Sequence, residues 1–125
     1  MPYELSVIEK PGYLHCIVTG RNTVENIAAY LQELARECRA RNCVRVLIEE
    51  HLTGPRLETW DVYRLTAESS ARHLAGFEAV AYVDVNAEGD LMKFAETVAG
   101  NRGLPMTVFA TVPEAENWLT AKVRR

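Results

Sequence analysis

Polar and apolar positions alternate over residues 3–9, with Tyr3, Leu5 and Val7 on one side and Glu4 and Ser6 on the other. Only Ile8 breaks the order. A period of two predicts a half-buried strand. Lys10-Pro11-Gly12 reads as a turn. Leu14, Cys16 and Val18 then alternate through residues 13–19. A Pro-Gly connection between two such runs predicts an antiparallel hairpin.

The period changes after Gly20-Arg21. Val24, Ile27, Ala28, Leu31, Leu34, Ala35 and Cys38 recur at helical spacing. Asn22 is the expected N-cap, with Glu25 completing a capping box. Arg36, Arg39 and Arg41 suit the negative end of the helix dipole. Asn42 is the expected left-handed stop. Residues 43–49 follow as a nearly continuous apolar strand, the pattern of a strand covered on both faces. Residues 50–55 read as the loop leaving it.

A second helix is expected over residues 57–74. Leu57, Trp60, Asp61, Arg64, Leu65 and Ala71 share a rough face, and Ser69-Ser70 mark a bend. Residues 77–84 form the next strand, 86–90 a polar loop and 91–99 a third helix, closed by Gly100 and Gly103. Residues 105–109 make a short last strand. Thr111 and Glu114 then form a second capping box, opening a helix with Ala115, Trp118, Leu119 and Lys122 on one side. The order β-β-α-β-α-β-α-β-α predicts an α/β fold: a mixed, mostly parallel five-stranded sheet with helices on its faces.

Composition narrows the function. At 125 residues the chain is the length of one domain. A net charge of −3 argues against a nucleic-acid partner, which needs a basic face. Lys122, Arg124 and Arg125 are explained as a solvated helix end. No apolar run is long enough for a membrane span, and Met1-Pro2-Tyr3-Glu4 lacks a signal-peptide pattern. The expected compartment is the cytoplasm. Cys16, Cys38 and Cys43 contain no CxxC pair and read as small core residues. No metal or cofactor is expected.

The opening hairpin, residues 44–50 followed by Leu52-Thr53-Gly54, and the ending Val108-Phe109, Thr111, Glu114-Ala115-Glu116-Asn117-Trp118-Leu119 resemble the SpoIIAA-like branch of the STAS superfamily (sulfate transporter and anti-sigma factor antagonist). The resemblance spans nearly the whole chain. It implies a single regulatory domain that works by protein interaction, with a homodimer as one arrangement. In anti-sigma factor antagonists the loop after the central strand carries a phosphorylated serine. By that resemblance Thr53, before Gly54, is the candidate modification site. This chain departs from the pattern: it has His51-Leu52-Thr53-Gly54-Pro55, without the signature's Asp and serines.

Open parallel sheets bind ligands beyond the carboxyl ends of their strands. Those ends bring Arg21, Glu50, His51, Thr53, Asp84 and Asn86 toward one candidate cleft for a ligand or partner. Polar strand ends occur in every such fold, so placement alone does not make a site. Glu49 and Glu50 point to opposite faces if the strand persists, which argues against their acting together. Trp60 and Tyr63 are core residues by default, or a partner interface if exposed. The favoured expectation is a non-enzymatic interaction module. A small-molecule or lipid carrier with a mobile 69–76 lid is the alternative. An enzyme built on His51 and Asp84 is the third reading.

Overall fold

The computed structural model describes residues 3–55, 57–84, 89–101 and 103–123. The element order is β1 (Glu4–Lys10), β2 (Tyr13–Arg21), α1 (Val24–Ala40), β3 (Arg45–Thr53), α2 (Thr59–Arg72), β4 (Ala79–Asp84), α3 (Gly89–Asn101), β5 (Met106–Phe109) and α4 (Val112–Val123). The five strands lie in the order β1-β2-β3-β4-β5. β1 and β2 pair antiparallel across the Pro11-Gly12 turn, where Gly12 takes a left-handed φ of 86°. The remaining neighbours are parallel. The expected mixed, mostly parallel sheet is therefore present.

Each strand from β2 onward is laid on the same growing edge. Successive crossovers of one hand then leave their helices on one face. Leu14, Cys16, Val18, Val46, Ile48 and Val80 on that face share a core with Ile27, Tyr30, Leu34 and Cys38 of α1 and Leu65 of α2. α3 packs against α2 and β5. The opposite face is covered by α4, whose Ala115 and Leu119 pack on Leu47, Ala79, Ala81 and Val83. Odd and even strand positions thus serve different cores, as the pleat requires.

Three local expectations are corrected. The α1 N-cap is Thr23, not Asn22: the Thr23 hydroxyl accepts from the Asn26 N–H at 3.1 Å. Asn22 instead donates its side-chain amide to the Pro55 carbonyl at 3.2 Å. Residues 50–53 are strand rather than loop. β2 runs on to Arg21, and the ladder pairs Thr19 with His51, Gly20 with Leu52 and Arg21 with Thr53. Trp60 does not share the buried face of α2; it is 64% exposed. The helix stop at Asn42 is found as expected, with φ 52°. Asn42 N–H bonds Arg39 O and Cys43 N–H bonds Cys38 O, the pairing of a Schellman motif.

Candidate functional site

A pocket opens between the sheet and the helices α1, α2 and α3. About 80 Å³ of it is open to the centre of a water-sized sphere. A single water needs on the order of 10–15 Å³ by that measure, so the space exceeds one solvent molecule. Ile27 and Leu31 of α1, Ile48 of β3 and Leu65 of α2 line it, together with Leu57, Leu74, Leu104 and Met106. The walls are apolar because these are the inward positions of amphipathic helices and of even-numbered β3 residues.

The floor is polar. Glu50 sits there at 2% exposure, placed by the same alternation that buries Val46 and Ile48. Its carboxyl Oε2 accepts hydrogen bonds from the hydroxyls of Tyr30 on α1 and Tyr82 on β4. Asp84 is its register partner on β4 and also lines the pocket. Burial, and then the negative charge and hydrogen bond of Asp84, push the Glu50 carboxyl up to about 8; the two tyrosine hydrogen bonds pull the other way. Glu50 is therefore mainly protonated at neutral pH. Burial raises the Tyr30 and Tyr82 phenols too, aided by the neighbouring Glu50, so both remain hydrogen-bond donors.

A second titratable cluster lies on the opposite face. Glu49 receives His15 Nε2 at 2.7 Å on one carboxylate oxygen and His51 Nε2 at 2.5 Å on the other. Burial alone would raise the Glu49 carboxyl, but the hydrogen bonds from His51 and His15 outweigh it and hold the group below the usual range. Among the described residues no group of three or more His, Cys, Asp or Glu side chains is arranged to hold a metal ion.

The residues expected at the strand ends are thus divided. Glu50 and Asp84 meet in the pocket, whereas His51 belongs to the α4 side of the sheet with Glu49. His51, beside Glu49, and Asp84, the register partner of Glu50, lie on opposite faces of the sheet. Thr53 is exposed at the end of β3, and its hydroxyl donates to Gly20 O at 3.3 Å. Arg21 approaches the following loop: its guanidinium lies 3.4 Å from where a Cβ on Gly54 would stand. Asn86 falls outside the described residues. Trp60 and half-buried Tyr63 stack with ring centroids 5.7 Å apart. Tyr30 and Tyr82, which complete the pocket floor, carried no motif. Their positions were nonetheless readable: Tyr30 falls three residues after Ile27 on the buried stripe of α1, and Tyr82 lies between Val80 and Asp84 on one strand face.

The architecture is similar to the crystal structure of an uncharacterised DUF3478-family protein from Shewanella loihica PV-4, described as having a SpoIIAA-like fold. The TM-score is 0.55 and the identity 22%, over 94% of this chain and 93% of that one. The chain has a SpoIIAA-like fold. No protein-family model matches it, and no curated protein does. Within this SpoIIAA-like domain, no described helix is long and apolar enough to cross a membrane.

Proposed function

We propose that this SpoIIAA-like domain binds a small, largely apolar molecule under α1, α2 and α3, and acts by carrying or sensing it. The observation that carries the reading is the pocket itself: apolar walls around a few convergent polar groups at one end, the usual composition of a ligand site. The polar end suits binding better than turnover. Glu50 is held by two phenols and kept neutral by burial, so it fixes a ligand's orientation. The test is a titration with octanol followed by thermal stability, since a ligand that binds only the folded state raises its melting temperature. Leu65→Trp fills the pocket and is expected to remove that rise while circular dichroism stays unchanged. A rise that persists in the filled variant counts against the pocket.

A second reading, a phosphorylation-controlled interaction module, is favoured by one observation. Thr53 is exposed, and the Arg21 guanidinium lies over the adjacent Gly54. A phosphate on Thr53 adds nearly two negative charges within reach of that cation. In this reading Thr53→Glu changes the affinity for a partner protein and Thr53→Ala does not. Identical partner binding by the two variants removes the switch.

A further inference from the structure

The polar floor of the pocket carries an indication of ligand class, on the reading that the pocket holds a ligand. Glu50 is a carboxyl withdrawn almost wholly from water. The groups that act on it are Tyr30 from α1 and Tyr82 and Asp84 from β4. β2 places Val18 beside it. The described α2 and α3 residues lining the pocket, Val62, Leu65, Thr66 and Ala95, bring no titratable group. Among the described residues, the side chains that act on Glu50 are thus two phenols and another acid, with no cation against it. A buried carboxyl in that setting keeps its proton because the loss of hydration outweighs the two phenol hydrogen bonds that favour ionisation. A ligand that brings a positive charge supplies the compensation. A ligand carboxylate brings no such compensation, and seating it against Glu50 would bury a second acid beside the first.

We propose that the pocket takes an amphipathic amine, its ammonium group seated on the Glu50 carboxyl and its apolar body lying among Ile27, Leu31, Ile48 and Leu65. On binding, the ligand keeps its own proton and Glu50 releases one to solvent. An ion pair forms where a neutral acid stood, and one proton leaves for each amine bound. The hydroxyls of Tyr30 and Tyr82 already donate to Oε2, so the nascent carboxylate is hydrogen-bonded from the outset. This is charge burial with a partner, the form in which buried charges are tolerated.

The experiment is calorimetric titration of the whole chain with octylamine, octanol and octanoate, in buffers of different protonation enthalpy. Octylamine is expected to bind most tightly of the three and to release close to one proton near neutral pH. Its affinity is expected to rise by up to about tenfold per pH unit until Glu50 is ionised without help, near pH 8. Octanol affinity stays flat over that range. Glu50→Gln keeps the shape and the tyrosine hydrogen bonds but has no proton to give, so proton release and pH slope both disappear. The wild-type slope and proton count test the idea without the variant, should the variant fold poorly. Equal affinity for octanol and octylamine with no proton released overturns the amine assignment and leaves the pocket reading intact, as does tighter binding of octanoate. Binding of none of the three overturns both.

Discussion

Glu49 and Glu50 are adjacent in the chain and belong to opposite cores of the protein. Glu49 is bridged by two histidines on the α4 side of the sheet, and Glu50 is capped by two tyrosines on the other. The two carboxyls respond to these settings in opposite directions, one held low and the other pushed up.

The raised carboxyl of Glu50 makes stability depend on pH. The folded state holds this proton up to about pH 8, whereas the ordinary value is 4.5. Between those values the folded chain binds more protons than the unfolded one, so stability falls as pH rises. The fall is at most about 1.4 kcal/mol per pH unit. Glu50→Gln is expected to flatten this slope and to become the more stable form at the alkaline end. Urea melts of both proteins across the range measure it; parallel curves count against a buried, protonated Glu50.

The two tyrosines hold Glu50 from different elements. Tyr30→Phe and Tyr82→Phe each remove one hydrogen bond to a buried acceptor, a loss of about 1–2 kcal/mol in denaturant midpoints converted to free energy. Because both hydrogen bonds pull the carboxyl down, either substitution is expected to move its titration further up. Carbon NMR of the Glu50 side chain reads that movement. A midpoint that falls instead contradicts the geometry.

On the other face, the hydrogen bond from His51 is the largest single influence that lowers the Glu49 carboxyl. His51→Ala is expected to shift the Glu49 titration upward, with His15 left as its remaining histidine partner. The same NMR measurement applies, and an unmoved Glu49 would show that the contact is absent in solution.

Thr23 and Asn22 offer a sharper local test. Thr23→Ala removes the side chain that caps α1 and is expected to cost about 1 kcal/mol. Asn22→Ala removes, among the described residues, an exposed hydrogen bond to Pro55 and is expected to cost less. Chemical denaturation of the pair decides which residue is the cap.

That example shows where the sequence was legible. Element types and order could be read because the period changes cleanly from two at Leu14, Cys16 and Val18 to helical spacing at Ile27, Leu31 and Leu34. The cap could not be separated from its neighbour, because Asn22 and Thr23 are both good N-cap residues and only the path of the chain toward Pro55 distinguishes them. The end of β3 reads too early in the sequence for a similar reason. Glu50 and His51 look like loop residues until pairing with Val18 and Thr19 holds them in the sheet. The pocket floor depended on that same extension, since a loop at Glu50 would not have fixed its side chain between Tyr30 and Tyr82. The sequence leaves Trp60 either in the core, as its size favours, or on an exposed interface, and α2 places it at the surface beside Tyr63.

The Schellman stop at Asn42 folds the chain back so that Cys43 follows the end of α1 directly, its thiol donating to Arg45 O at 3.1 Å. Cys16 and Cys38 lie fully buried, and burial pushes both thiols up to about 12. Reactive thiolate is therefore scarce at these two positions in the native state. Their alkylation has to wait for the sheet and α1 to separate, so the labelling rate of Cys16 and Cys38 serves as a built-in clock for opening of the core.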